Sequence, residues 1–368
     1  MKRINVTQSS LPSYEKYIEK IRSLWDTKFL TNMGVFHMEL EKKLIEYLKT
    51  PYISLYSNGH IALEYALESL ERKGEVITTP FTFVSTTHAI VRTGNIPIFC
   101  DIKESDYTID ETKIESLITD KTIAILPVHV YGNVCNVEEI EKIAQKHNLK
   151  VVYDAAHAFG VKYKGKGIAT YGDISMFSFH ATKVFHTGEG GALTYNNIAL
   201  KQKFEVLKNF GIISQEEVSY VGGNAKLDEF RAAMGLCNLE IADEEISKRK
   251  AVFERYEENL KGIKGIKLNL RQPEVVQNYA YFPVLFDNYK LTRDQVFILL
   301  KENEIYARKY FYPLTSSFKA YSNLFEMQET LVALKITDNI LCLPMYANLE
   351  ISDVDRICDI IKEGESKI

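Results

Sequence analysis

Much of what usually sorts a chain into a class is missing here. The five cysteines, Cys100, Cys135, Cys237, Cys342 and Cys358, make no C-x-x-C pair and no metal-type spacing. An odd, unpatterned set excludes a disulfide scaffold and a thiolate metal centre, and it predicts reduced thiols. No basic block is present, since 45 Lys and Arg stand against 49 Asp and Glu for a formal charge of −4. That balance excludes a nucleic-acid footprint. The opening segment "MKRINVTQSSLPSYEK" has no apolar stretch of signal-peptide length. The longest uncharged run, "TIAILPVHVYGNVCNV", is too short for a bilayer and is interrupted by Pro127 and Gly132. The expectation is a cytoplasmic protein with no membrane partner. Internal repeats, low-complexity tracts and a G-x-G-x-x-G after the first strand are also absent, so the dinucleotide fingerprint is lacking.

What is there describes a globular α/β chain. At 46% hydrophobic and 26% charged, 368 residues exceed what one core usually supports, so two domains are expected. From about residue 50 to 200, β-branched runs alternate with helical patterns. The segments 75–79, 96–99, 122–128, 149–154, 174–179 and 191–195 read as strands, several of them apolar on both faces as in a buried, mostly parallel sheet. In "HIALEYALESLER" (60–72), Leu63, Ala66, Leu67 and Leu70 make one stripe at helical period. "NVEEIEKIAQKH" opens on Asn136 with Glu139 three residues on, a capping-box pattern. The alternation predicts helices on both faces of the sheet. After residue 245 the texture changes, with a charged helix at 244–262 followed by mixed segments. A large domain, 1–245, with a helical N-terminal segment, and a smaller α+β domain, 246–368, are therefore expected.

Ligands of open α/β sheets collect at the carboxyl ends of strands, and three such places stand out. "YSNGH" (56–60) runs into a helix, and Gly59 at its start lets backbone N–H groups face an anion where the helix dipole favours negative charge. An ordinary turn and N-cap is the alternative there. Asp154 ends the apolar "LKVVYD" and needs a partner for a partly desolvated carboxylate, a helix cap or salt bridge being the alternative. Lys183, in "SFHATKVFHTGEGG", follows an apolar run and precedes Gly188, Gly190 and Gly191. A lysine whose charge is disfavoured by burial becomes a nucleophilic amine, although a solvated surface lysine is the plain alternative. Taken together, an anion cradle, a carboxylate and an amine are what pyridoxal 5′-phosphate requires of a protein, with Phe83 of "TTPFTFVSTTH" available to cover its ring.

Along nearly its whole length the chain resembles the DegT/DnrJ/StrS-type sugar aminotransferases. The likeness is carried by "WDTKFLTNMG", "SNGHIAL", "ITTPFTFVSTTHAIVRTGNIPIFCDI", "ILPVHVYGN", "VVYDAAHAFGV", "GDISMFSFHATKVFHTGEGGAL", "GGNAKLDEFRAAMGL" and "CLPMY". The resemblance implies the fold-type I architecture of pyridoxal 5′-phosphate enzymes and action on nucleotide-linked keto sugars. It makes Lys183 the Schiff-base lysine, Asp154 the partner of the pyridinium nitrogen and His157 a neighbour of the 3-oxygen. It puts Phe83 on the ring and Gly59, His60 and Ser178 at the phosphate. Asn224 resembles the asparagine that such enzymes send into a neighbouring subunit, which implies a homodimer with shared active sites.

Two positions depart from the family pattern. His60 replaces the usual threonine after S-N-G, so either the phosphate shifts or the imidazole turns away. Ala225 follows Asn224 where an aromatic residue or glycine is commoner. Within the family, the segments around Asp154 and Lys183 look most like enzymes that aminate C4 of dTDP-4-keto-6-deoxy-D-glucose with L-glutamate as donor, for surface polysaccharide synthesis. A C3-directed relative, a sugar 3-dehydratase and a non-catalytic relative are the competing readings; Lys183 itself opposes the dehydratase, which typically has histidine there. Thr31, Asn32, His180, His186, Arg308, Tyr310 and Tyr312 are candidate substrate contacts, with loop shaping or surface packing as the alternative for each.

Overall fold

The computed structural model describes residues 2–269 and 271–364. Seven strands form the main sheet, in the order Tyr52–Tyr56, Gly191–Tyr195, Ile174–Ser178, Lys150–Asp154, Thr122–Leu126, Glu75–Thr78 and Ile96–Phe99. Gly191–Tyr195 runs antiparallel to both neighbours, and the other pairs are parallel. All six expected strands form, ending within two residues of the expected limits. Tyr52–Tyr56, at the sheet edge, is a seventh that periodicity did not signal. Because six of the seven strands share one direction, Tyr56, Ser178, Asp154, Leu126, Thr78 and Phe99 finish at the same edge of the sheet.

The helices follow from local chemistry. Asn58 caps Gly59–Glu68 by accepting from the Ile61 N–H at 2.9 Å, and Ala62, Leu63, Ala66 and Leu67 are fully buried beneath it. The helix stops short of residue 72, where Glu71 takes a positive φ of 59° and turns the chain away. Asn136 accepts from the Glu139 N–H at 3.3 Å to cap Val137–His147. The expected box closes on that side only, since Glu139 turns to Lys142 at 2.9 Å. The helix expected at 244–262 begins sooner: Glu229–Leu260 has 32 residues and is capped by Asp228.

That long helix serves two cores. Ala232, Ala233, Leu236 and Ala242 pack in the cluster under the main sheet, whereas Val252, Phe253, Tyr256 and Leu260 pack with Phe282, Val284, Leu341 and Ile357. The second cluster also holds Ile4, whose short strand Ile4–Asn5 pairs in parallel with Ile305–Tyr306. Each large side chain buried this way contributes about 1.5–3 kcal/mol. A three-stranded antiparallel sheet, Ile266–Leu268, Phe282–Phe286 and Ile340–Leu343, backs it. A third group joins the two bodies above the strand ends, with Phe81, Tyr107, Val128 and Tyr131 against Leu285, Phe311 and Ile336. Asp101 adds a polar tie by accepting from the Val332 and Ala333 N–H groups (3.0 and 2.8 Å) at the start of Leu331–Asn339. Among the described residues no helix is long and apolar enough to cross a membrane.

Candidate active site

The strand ends close on a cavity of about 370 Å³ whose wall includes Gly59, His60, Phe83, Asp154, His157, Ser178 and Lys183. All seven candidate cofactor residues of this chain other than Asn224 therefore meet in one place. The geometry begins with the glycines. A side chain on Gly191 would collide with the Gly59 backbone, its Cβ only 2.5 Å from the Gly59 nitrogen. A Cβ on Gly59 would meet Met176 and Ser178 at 3.1 Å. Bare backbone at both positions lets the strand after the Lys183 loop lie directly against the start of the Gly59–Glu68 helix. Gly188 supports the return of that loop with a φ of 80°.

Asp154 is 5% exposed. Its Oδ2 accepts from Thr86 Oγ1 at 2.7 Å and its Oδ1 from the Ala156 N–H at 3.0 Å. Burial pushes its carboxyl up from the ordinary value, against the pull of those two donors and of Lys183. Lys183 donates from Nζ to the Tyr281 hydroxyl at 3.3 Å. Burial lowers its pKa to about 8, with Asp154 and Tyr310 acting in the opposite direction. An appreciable fraction of Lys183 is thus the free amine near neutrality, which a solvated surface lysine is not. Burial likewise raises the Tyr281 phenol, so it stays protonated beside the amine.

The His157 ring is fixed by Tyr131, whose backbone N–H donates to Nδ1 at 3.0 Å. Burial, with Lys183 nearby, holds its pKa well below the ordinary histidine value. The imidazole is therefore neutral and carries its proton on Nε2. Tyr131 adopts a φ of 59° to make that bond, and Tyr281 packs on the ring at 4.5 Å between centroids. His60 has turned to its neighbours: Nδ1 lies 2.9 Å from Ser85 Oγ, and Nε2 lies 3.1 Å from Glu64 Oε1.

The remaining candidates divide. His180 lines the cavity, with Nδ1 2.8 Å from Thr182 Oγ1 and Nε2 3.6 Å from Glu189. Tyr310 lines it too and also borders a second, adjoining cavity of about 730 Å³ that holds Arg308 and Tyr312. His186 corrects the expectation of a substrate contact. It is 2% exposed, accepts from the Gly188 N–H at Nδ1 and meets the Ser10 carbonyl at Nε2, so neither nitrogen is left for a ligand. Thr31 and Asn32 occupy an exposed bend and do not line either cavity of this chain. Asn224 is also outside, on an exposed loop where its Oδ1 accepts from Lys226 Nζ at 3.0 Å.

Thr86, Tyr131, Tyr281 and Ser85 were not anticipated. Ser85 and Thr86 stand in the quoted "TTPFTFVSTTH", one and two residues past the start of the Val84–Arg92 helix, whose face no local pattern assigns. Tyr131 acts through its backbone, and Tyr281 arrives from the second body; only the folded chain brings either to the site.

A pyridoxal 5′-phosphate group fits the residues present. The cavity has a buried carboxylate kept ionisable by two donors, a depressed-pKa amine, an aromatic face on half-exposed Phe83 and, at Gly59, a helix start stripped of side chain. Its volume is in the range of small-molecule sites.

Comparison with known proteins points the same way. The sequence pattern described as the DegT/DnrJ/EryC1/StrS aminotransferase family matches residues 13–362. The dTDP-4-amino-4,6-dideoxy-D-glucose transaminase of Shigella dysenteriae is 45% identical over 98% of this chain and 99% of its own. The fold superposes on DesI, solved in the presence of its TDP-sugar product, with a TM-score of 0.94 at 27% identity, over 99% of this chain and 93% of that one. It also superposes on the PLP form of the sugar aminotransferase Spr1654 from Streptococcus pneumoniae, with a TM-score of 0.90 at 26% identity, over 98% of both chains.

Proposed function

The chain belongs to the DegT/DnrJ/EryC1/StrS aminotransferase family, and from that premise we propose that it moves an amino group from L-glutamate to C4 of dTDP-4-keto-6-deoxy-D-glucose, giving dTDP-4-amino-4,6-dideoxyglucose for surface polysaccharide synthesis. It is a pyridoxal 5′-phosphate-dependent nucleotide-sugar aminotransferase. The observation that carries the reading is the Lys183 amine, depressed to about 8 and held in the same cavity as the buried Asp154 carboxylate.

When bound, the cofactor supplies an aldehyde that accepts the amino group and a ring that stabilises negative charge on the adjoining carbon. Where this chain's residues stand supports the following roles. Asp154 would stand at the ring nitrogen and keep it protonated, its own charge secured by Thr86 and Ala156. His157 would offer its Nε2 proton to the 3-oxygen, and Phe83 would cover the ring. Gly59 and Ser178 would hold the phosphate, with His60 beside them turned to Ser85 and Glu64. Lys183 carries the proton transfers: its free amine takes the proton from the α-carbon of glutamate and returns one to C4 of the sugar. Tyr281, bonded to Nζ, keeps the amine aimed between the two positions.

The adjoining cavity extends this reading to the nucleotide. Arg3, Lys301, Arg308 and Lys309 line it together with Tyr306 and Tyr312. Cations beside aromatic faces suit a diphosphate and a base, and the shared wall residues Phe83 and Tyr310 connect it to the amine. We take the enzyme to be a cytoplasmic homodimer with Asn224 completing the second subunit's phosphate site. The exposed position of Asn224 and the apolar surface around it support this. We also read the chain as two bodies, 1–245 and 246–368, supported by the change of core along the Glu229–Leu260 helix, with Ile4 crossing to the second.

The test is to incubate the enzyme with glutamate and dTDP-4-keto-6-deoxy-D-glucose and locate the new amine by NMR and mass. Amine at C4 with 2-oxoglutarate released is expected. An amine at C3, or turnover only with a 3-keto sugar, overturns the position assigned.

A further inference from the structure

The residue that departs from the family pattern, His60, is also one whose two ring nitrogens are both engaged. Its Nε2 meets the carboxylate of Glu64, one turn along the same helix, at 3.1 Å. A carboxylate only accepts, so Nε2 bears a proton. Arg92 pairs with the same carboxyl; although burial opposes it, His60 and Arg92 together hold Glu64 below its ordinary pKa. The opposite nitrogen, Nδ1, lies 2.9 Å from Ser85 Oγ, and either atom of that pair can be the donor. His60 and Ser85 both line the cavity, beside Asn58, Gly59 and Ser178.

Two hydrogen-bond states follow. With His60 neutral, Nδ1 accepts the Ser85 hydroxyl proton, and Ser85 shows the cavity only lone pairs. With His60 protonated, Nδ1 donates to Ser85 Oγ, and the Ser85 hydroxyl is released to donate into the cavity. Resting on the reading that this cavity takes pyridoxal 5′-phosphate, we infer that His60 and Ser85 form a proton-coupled donor pair for its phosphate. In this pair Ser85 supplies the hydroxyl that threonine gives elsewhere and His60 governs its direction. Phosphate binding then takes up a proton at His60.

The groups that face His60 allow this. Glu64 on its own helix and Arg92 on the Val84–Arg92 helix share charge with it. His88, on the latter helix, bonds Tyr321 at 2.6 Å. Burial, and then the charges of His60 and Arg92, lower its pKa, which favours the neutral form of His88. Across the cavity stand His180, Lys183, Glu189 and Asp154, which every variant below retains.

The test is to titrate the cofactor-free full-length protein with pyridoxamine 5′-phosphate, which forms no link to Lys183, and follow intrinsic fluorescence between pH 6.5 and 8.5 (about one His-type titration). Wild type, Ser85→Ala and His60→Gln are compared, with unphosphorylated pyridoxamine as the control ligand. Ligand and Lys183 titration are common to all three proteins and cancel in the ratios. The wild-type advantage over Ser85→Ala is expected to grow about five- to tenfold as the pH falls, from near parity at the alkaline end. His60→Gln, which donates without titrating, is expected to bind with the flatter pH dependence of Ser85→Ala. Retention of the wild-type pH dependence in both variants, or the same dependence with pyridoxamine, overturns the pair. Failure of wild type to bind pyridoxamine 5′-phosphate at any pH overturns the cofactor reading beneath it.

Discussion

The floor and the rim of the active cavity are built on different terms. On the floor, Asp154, His157 and Lys183 are each held by partners from this one chain: Thr86 and the Ala156 N–H, the Tyr131 N–H, and the Tyr281 hydroxyl. At the rim, Asn224 bonds only its near neighbour Lys226 among the side chains of the described residues, and the loop around it turns apolar groups outward. Val221 is 97% exposed, and Phe210, Ile213, Val218 and Tyr220 stand open beside it. Trp25, Phe29 and Leu30 are exposed in the N-terminal segment. Apolar surface gathered in this way marks a place where another protein surface is received. On the proposed dimer, one chain completes the chemistry and a second copy supplies the enclosure. The comparison predicts that damage to the floor is absolute and confined to its own site, while damage to the rim can be repaired from outside.

The largest effect is expected at Lys183. Lys183→Ala should lower turnover at least about 10⁴-fold and remove the yellow absorbance of the linked cofactor. An active, still-yellow variant overturns the assignment. The same residue has an opposite effect on stability. Its folded pKa, about 8, lies below the unfolded 10.5, so the unfolded chain binds more protons between those values and stability rises with pH across that window. Below pH 8 the buried ammonium is a full burden. Lys183→Met in the cofactor-free protein should therefore melt a few degrees higher than wild type near pH 7. For the same reason, the free Lys183 amine of the cofactor-free protein should react faster with an added aldehyde as the pH rises, levelling off above about 8. Stopped-flow absorbance reads this directly.

Asp154→Asn comes next, with an expected loss of about 10²–10³-fold. The amide keeps an acceptor for Thr86 or Ala156, so circular dichroism and melting should change little while the charge opposite the ring nitrogen disappears. A loss below tenfold would show that the carboxylate only caps its turn.

These floor residues were the most legible part of the sequence, and the reason is geometric. In a parallel sheet, an apolar run fixes where a strand ends, so Asp154 and the Lys183 segment could be placed at one edge from pattern alone. Gly59 and Gly191 were legible because close backbone approach tolerates nothing larger. The supporting shell was not. Thr86 and Ser85 depend on the rotation of a helix with mixed faces, Tyr131 on a backbone N–H that no side chain announces, and Tyr281 on a contact between the two bodies. His186 misled because sequence proximity to Lys183 says nothing of direction; its ring points down to Ser10 and away from the ligand space. Of the Tyr52–Tyr56 strand only the carboxyl end was legible, through "YSNGH", because Ile53, Ser54, Leu55 and Tyr56 are all buried and show no alternation.

The rim is sharpened by a mixed-dimer experiment. Asn224→Ala should reduce activity about 10- to 100-fold through lost phosphate contact. Mixed with inactive Lys183→Ala chains, it should recover. In the heterodimer one site combines an intact Lys183 with an intact Asn224 from the other chain, and the second site has neither. Recovery toward half of wild-type activity per heterodimer is the signature of sharing. No gain on mixing would place Asn224 in the service of its own subunit and remove the distinction between floor and rim.

The smallest effect should come from Thr86→Val, which tests whether the floor is as self-contained as its bonds suggest. The substitution preserves shape and removes one hydroxyl, which bonds Asp154 Oδ2 at 2.7 Å and also meets Thr82 Oγ1 at 2.8 Å. Burial already raises the Asp154 carboxyl, and Thr86 is the largest of the influences that bring it back down. Without that donor the folded pKa rises further, so the carboxylate is lost at a higher pH on acidification. The acid limb of the pH profile for the half-reaction with glutamate should move to higher pH, with a loss that grows on acidification and almost none at pH 9. A uniform loss at every pH would mean that Thr86 only packs. A shift of the limb with an unchanged plateau would mean that the enzyme protects one charge with a hydroxyl supplied from a neighbouring helix, independently of any second copy.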